Sequence, residues 1–342
     1  MASRRQTVIR RLLESSEPSV RWKARVRVLG EDPSSSRCTA LERKVAASPR
    51  VRTLLHRRDR AGRLLTARDV YDKWQGAHWV LAALADLAYP PGDPSLCPLR
   101  DQVYDHWLAP SFFREFDAPR KEDAYRHDGV PVMDGRPRRC ASQQGNALYF
   151  LHALGIADAR SERLAERLRH WQWPDGGWNC DKNPTASHSS FTESLLPMVG
   201  LAEYATATGD SAARSSARRA QEVFLTRKLF RRRSDGAPIH PEFLRLHYPL
   251  YWHYDLLGGL KAMARLGTVR TAPCREALDL LEAKELAEGG WASEKRYYSV
   301  RPDSFALHAD YVDWGPTGRR AMNEWVTVDA LAVLAAAGRG PE

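Results

Sequence analysis

Glu193, Asp255 and Asp329 are carboxylates, and Gln75 and Gln144 amides, that each stand where an apolar helical stretch begins. A carboxyl in such a place becomes a general acid if its surroundings exclude water, because desolvation disfavours the anion and raises the pKa. Capping and the helix macrodipole also favour acids there, by about 1 kcal/mol or less. Near these five lie Trp74, Trp178, Trp252, Tyr254, Trp314 and Trp325, together with Asp181 and the histidines His78, His188, His240, His247 and His253. Aromatic faces cover apolar ligands and attract developing positive charge, although most tryptophans simply fill cores. The expected catalytic groups are Glu193, Asp255 and Asp329. Substrate binding is expected from Trp74, Gln75, Gln144, Trp178, Asp181, His188, Trp252, His253, Tyr254, Trp314 and Trp325.

Cys140, Cys180, Asp181, His188 and Glu193 are residue types that suit zinc, but the Cys180–His188 spacing matches no compact site. A site without metal or cofactor is therefore expected. The five cysteines contain no Cys-x-x-Cys pair and are read as reduced thiols.

These residues are positioned by a repeated unit. Glycine turns recur at Gly62, Gly176-Gly177, Ser234-Asp235-Gly236 and Gly289-Gly290-Trp291, with a further turn expected near Phe116-Asp117-Ala118-Pro119. Before them run stretches of mixed polarity: Thr39 to His56, Leu99 to Phe113, Ala159 to Trp171, Ser211 to Phe230 and Cys274 to Leu286. After them come more apolar ones: Tyr71 to Leu87, Ser142 to Leu154, Ser190 to Ala205, Tyr251 to Leu266 and Trp325 to Ala337. Apolar residues return every three or four positions in both sets, so the chain is predicted to be all-α. A helix apolar on nearly all sides must be covered on most of them, which makes the second set an inner layer and the first an outer one. With Gln6 to Leu13 and Val20 to Leu29 added, about six helical hairpins are expected, enough to close a ring. The segment Tyr297 to Glu324 exceeds normal loop length and is a candidate lid.

The run Gln172-Trp173-Pro174-Asp175-Gly176-Gly177-Trp178, echoed at Glu285 to Trp291, resembles the Gln-Trp repeat of squalene-hopene cyclases. On that basis the chain, from about Thr39 onward, resembles the terpenoid cyclase and protein prenyltransferase superfamily. The resemblance implies an α/α toroid of two concentric helix rings and an enzyme, a lyase or isomerase, acting on an apolar or isoprenoid substrate in a central cavity. The Asp-x-Asp-Asp and Asp-Asp-x-x-Asp motifs of those enzymes are absent from the sequence, as is the prenyltransferase Asp-x-Cys pair. Two other functions fit the same residues: a non-catalytic toroid that binds a lipid or partner protein, and a carbohydrate-active lyase or hydrolase on a similar helical ring.

Residues 1–342 are read as one toroid domain, with 1–36 as an N-terminal helical extension or a degenerate first repeat. The net charge of +10 is uneven: eight basic residues between Arg214 and Arg233 face the single acid Glu222. That stretch is either a solvated helix face or a docking patch for an acidic partner or membrane surface; no nucleic-acid-binding signature accompanies it. With no apolar run of spanning length and no apolar core after the basic N-terminal residues, a cytoplasmic protein is expected.

Overall fold

The computed structural model describes residues 4–302 and 304–340. Among them the chain is all-α, with thirteen α-helices and five short strands. The helices are Arg4–Leu13 (α1), Pro18–Lys23 (α2), Ser36–Ala46 (α3), Pro49–Leu55 (α4), Ala77–Asp86 (α5), Cys97–Trp107 (α6), Ala141–Ala153 (α7), Arg160–His170 (α8), Phe191–Thr208 (α9), Ser211–Leu225 (α10), Leu256–Arg265 (α11), Arg275–Ala283 (α12) and Glu324–Ala336 (α13). Among the described residues no helix is long and apolar enough to cross a membrane.

The helices follow the expected alternation, and their differences from it have local causes. The stretch Thr39 to His56 is two helices, because Ser48 caps the second through Val51 N–H (3.3 Å) and Pro49 lacks the donor that would continue the first. The helix expected from Tyr251 begins only at Leu256, since Tyr251 lies in the left-handed region (φ 50°) and Asp255 caps α11. Instead of a simple turn near Phe116, the strands Glu115–Asp117 (β1), Val130–Met133 (β2) and Arg136–Pro137 (β3) form a small sheet, β1 parallel and β3 antiparallel to β2. Ser299–Val300 (β4) and Ala309–Asp310 (β5) pair in parallel within the expected lid segment.

The chain forms two compact units. One holds the described residues of Met1–Arg60, Leu64–Pro90 and Arg227–Glu342; the other holds Ala61–Arg63 and Pro91–Thr226. In the first, α13 is covered on almost every side, from Trp325 through Leu331 and at Val333 and Leu334. In the second, α8 buries one stripe only, Ser161, Leu164, Ala165 and Leu168, as an amphipathic outer helix should. There α7 and α9 cross in backbone contact: a Cβ on Gly145 would sit 2.3 Å from Pro197 N, and one on Gly200 2.2 Å from the Gly145 carbonyl. Only hydrogen at these positions lets the two helices approach so closely.

The Gly-Gly-Trp turn is a latch, and it occurs once in each unit with the same hydrogen bonds. The Trp178 indole N–H donates to the Leu168 carbonyl near the end of α8 (2.8 Å), and the Trp291 indole N–H to the Leu281 carbonyl near the end of α12 (2.7 Å). The first satisfies an orphan carbonyl of the last helical turn, and the second adds a donor to a carbonyl that also accepts the Lys284 N–H (3.2 Å). The Trp178 backbone N–H then donates to Ser194 Oγ (3.0 Å) on α9, and the Trp291 N–H to Thr327 Oγ1 (2.9 Å) on α13. Ser190 and Asn323, the capping residues of those helices, donate their backbone N–H to the two tryptophan carbonyls at 2.8 and 2.9 Å. A Cβ on Gly177 would meet Ser194 Oγ at 2.4 Å, so no larger residue fits the turn. We expect Trp178→Phe to lower stability by about 1–3 kcal/mol, because the Leu168 carbonyl loses its donor, and Trp291→Phe by less, because the Leu281 carbonyl keeps the Lys284 N–H. Denaturant unfolding would read this as a lower midpoint at an unchanged slope.

Candidate functional site

In the first unit, Asp255 is formed by the approach to α11. Its Oδ1 accepts the Gly258 N–H (2.7 Å) and its Oδ2 the His247 N–H (2.9 Å). The same Oδ2 lies 3.0 Å from His247 Nδ1, with both side chains about 1% exposed. The chain folds this tightly because the residues after the cap are glycines: a Cβ on Gly258 would lie 2.8 Å from Leu250, and one on Gly259 2.3 Å from the Tyr254 hydroxyl. Burial opposes charge on His247, but Asp255 and the carbonyls of Arg245 and Leu250 outweigh it and raise its pKa. Nδ1 lies against the carboxylate, while Nε2 is buried without a partner at hydrogen-bonding geometry.

His253, whose ring lies 5.9 Å from that of His247, is pushed the other way. Burial and the charge on His247 lower its pKa to about 3, so it is neutral, and its Nδ1 also lacks a partner. The ring is stacked between Trp252 (4.2 Å) and Tyr297 (3.6 Å). Beside it Trp74 stacks on Tyr251 at 3.7 Å, and the Tyr251 hydroxyl is tied to Asp310, which fixes that residue's left-handed backbone. The Lys73 ammonium lies 5.0 Å from the Trp252 ring centroid. Tyr251, Trp252, His253 and Tyr297 are all half-buried, so this stack is reachable from solvent.

Asp329 belongs to a different arrangement. It lies in the second turn of α13 rather than at its start, which corrects its expected position. The fully buried Lys23 reaches Asp329 Oδ1 at 3.4 Å and Asp86 Oδ2 at 3.0 Å, and Lys261 pairs with Asp329 Oδ2 and with Asp86 Oδ1 (3.5 Å). Burial lowers the Lys23 pKa, whereas the two carboxylates raise that of Lys261 despite its burial. Lys23 Nζ also lies 5.5 Å from the Tyr248 and Trp325 ring centroids, which stack on each other at 5.1 Å. Asp329 and Asp86 thus share the two lysine side chains in one buried network, whose geometry is that of a structural ion-pair cluster.

In the second unit, Glu193 occupies the first turn of α9 and is buried. Its Oε2 accepts the Ser142 N–H (3.1 Å) and its Oε1 the Cys180 thiol (3.4 Å). Burial raises its pKa against these bonds. Cys140 Sγ, Cys180 Sγ and a Glu193 carboxylate oxygen lie within 4.8 Å of one another. The thiol hydrogen bond between the cysteines holds Cys140 below its ordinary range and pushes Cys180 up. Asp181 and His188, weighed with these residues as zinc ligands, are not brought to them: both are exposed, Asp181 accepts the Asn183 N–H (2.9 Å), and the His188 carbonyl accepts Asn179 Nδ2 (2.8 Å).

The remaining expected binding residues are spent on structure. Trp178 is the latch indole, buried at 1% exposure, so its ring faces the hairpin core. Gln75 Nε2 donates to the Ser304 carbonyl (2.8 Å), the Tyr254 hydroxyl to the Leu229 carbonyl (2.6 Å) and the Trp314 indole to Asp310 Oδ2 (2.8 Å). Gln144 accepts Arg139 Nε (3.2 Å) while its Nε2 is buried without a partner. The pairing of His247 with Asp255 was not among the expected contacts, although a histidine and a capping acid stand either side of a Tyr-Pro-Leu turn. Lys23 and Lys261 could not be read from spacing, because their partners come from other helices.

No family model and no curated protein sequence matches this chain. Among solved structures it is similar to a UGL variant with dGlcA-Glc-Rha-Glc, at 13% identity and a TM-score of 0.43, over 93% of this chain and 84% of that one. It is also similar to variants of the type II terpene cyclase MstE from Scytonema. The one with merosterolic acid A as product has 13% identity and a TM-score of 0.29, and the one with geranylgeranyl dihydroxybenzoate as substrate 14% and 0.27. Each MstE comparison spans 88% of this chain and 97% of the cyclase. Identities this low leave the chemistry of the chain to its own side chains.

Proposed function

We propose that this protein is an acid–base lyase that removes water from an apolar, isoprenoid-type alcohol, with His247 as the acid and His253 as the base. The observation that carries the reading is the divergence of two neighbouring histidines, the pKa of one raised by Asp255 and that of the other lowered by burial and by His247. Titratable groups driven apart by their surroundings take the acid and base roles of one reaction.

An imidazolium is too weak an acid for an isolated alkene, but it is strong enough to protonate a departing hydroxyl oxygen. His247 Nε2 gives its proton to that oxygen, the C–O bond breaks, and water leaves. The carbon left behind carries positive charge, which the faces of Trp252, Trp74 and Tyr251 stabilise; Lys73 above Trp252 indicates that such a face accepts a cation. His253 is a weak base, and a weak base suffices for a proton next to a carbocation. It takes that proton and the C=C bond forms. Asp255 orients His247 and sustains its charge, while Asp329, neutralised by Lys23 and Lys261, is assigned to stability.

With an acyclic allylic or tertiary isoprenoid alcohol such as linalool or nerolidol, gas chromatography should detect the corresponding alkenes. His247→Ala and His253→Ala should each lower turnover by about 10²–10⁴-fold. Unchanged turnover in both would remove the assignment.

The pH dependence has a definite sign. His247 must be charged to act and its pKa is raised, so activity is present at low pH and falls as pH rises through a value above the ordinary one of about 6.5. Asp255→Asn takes away the main cause of the rise and should move that limb to lower pH in a kcat/KM profile.

Asp329→Asn leaves buried Lys23 with one carboxylate fewer and should cost about 3–5 kcal/mol of stability. Its effect belongs in the denaturation midpoint, and the pH limb of activity should stay in place.

A further inference from the structure

The second unit contains a cluster that the reaction proposed for the first unit does not use. We infer that Cys140, Cys180 and Glu193 form a zinc site with one coordination position left open. The three side chains come from separate elements: Cys140 immediately precedes α7, Cys180 follows the latch tryptophan by two residues, and Glu193 lies in the first turn of α9. Their ligand atoms lie within 4.8 Å of one another. Thiolates about 2.3 Å from a tetrahedral zinc, and a carboxylate oxygen about 2.1 Å from it, are themselves roughly 3.5–3.8 Å apart. Cys180 Sγ and Glu193 Oε1 already stand at 3.4 Å, so binding calls for small side-chain movements and no rearrangement of backbone.

The surroundings are those of a built site. Glu193 is held by the Ser142 N–H on its other oxygen, the kind of outer contact that orients a ligating carboxylate. The backbone contact of α7 and α9 at Gly145, Pro197 and Gly200 holds the two helices against each other, and Gly177 lets the turn before Cys180 lie against Ser194. Two thiolates and a carboxylate carry three negative charges, of which the metal cancels two; Arg139 and Lys182 act on Cys140 with positive charge that offsets the third. Soft sulfur paired with one hard oxygen favours zinc over magnesium or calcium. Three protein ligands with a free position are the pattern of zinc that binds water or substrate, not of a closed structural site. Buried Gln144, one turn into α7, has an unpartnered Nε2.

Metal-stripped, reduced full-length protein titrated with Co²⁺ should take up one equivalent. It should develop thiolate-to-cobalt charge-transfer absorption and the intense visible bands of a four-coordinate ion, both removed by Zn²⁺. Cys140→Ser and Cys180→Ser should abolish the charge-transfer band or weaken binding by at least about 100-fold, and Glu193→Gln by about 10–100-fold. Glu193→His should bind and shift the visible bands, while Cys97→Ser should behave as the native protein. If the serine variants fail to fold, alkylation of the native chain decides: Zn²⁺ should shield Cys140 and Cys180 from iodoacetamide and leave the other three cysteines unaffected. Absence of charge-transfer absorption, its survival in both serine variants, or equal alkylation with and without Zn²⁺ would overturn the assignment. So would a Cys140–Cys180 disulfide that forms equally fast in the presence of Zn²⁺.

Discussion

An indole N–H bonded to a carbonyl in the last turn of the preceding helix closes a helical hairpin in each unit. Trp178 and Trp291 are each fully buried, and each ties the helix before it to a hydroxyl on the helix after it. A helix end has about four such carbonyls and water normally satisfies them. Using a tryptophan instead closes the hairpin with a dry, directional bond and buries a large ring at the same point. The glycines before it are the condition for this, since the backbone must pass within van der Waals contact of the hydroxyl it bonds to.

Burial then divides the acidic residues by what lies within reach of each. Asp329 meets two lysines, so its charge is matched and its role is cohesion. Asp255 meets one histidine and two backbone donors, and it raises the pKa of that histidine. Glu193 meets one backbone donor and the Cys180 thiol, and desolvation raises its pKa. Carboxylates that look alike at the level of helix position thus carry three different electrostatic tasks.

The helical class and the alternation of one-faced and fully covered helices, the building unit of an α/α toroid, were legible because they rest on periodicity, a property of neighbours in sequence. Ten helical stretches read from the two sets correspond to helices α3 to α13, with ends shifted by caps and by Tyr251. The strands near Glu115 and Val130 were not legible, being two to four residues long, too short for alternation to register. Asp255 and Glu193 were found as helix-start acids, but not what they touch. Trp178 was misread as a wall of a cavity because a glycine-rich turn before an aromatic does not reveal which way the ring packs. Lys23 and Lys261 act on residues brought near by tertiary packing, and no local pattern marks them.

Superposing the two latches by their hydrogen bonds separates what the repeat needs from what has been added to it. Trp178 corresponds to Trp291, Ser190 to Asn323 and Ser194 to Thr327. On that alignment Cys180 corresponds to Ser293, Glu193 to Val326, and Asp329 to Leu196. Each chemistry-bearing residue faces a residue of different chemistry in the other latch, while every group that makes the latch itself is kept in kind. The latch therefore tolerates serine in place of Cys180 and valine in place of Glu193. A thiol and a buried acid in the second unit are then not requirements of folding the hairpin. A half-buried thiol and a buried acid that the scaffold can do without, set 3.4 Å apart and joined by a second thiol, need a reason outside the hairpin's stability, and a bound cation supplies one.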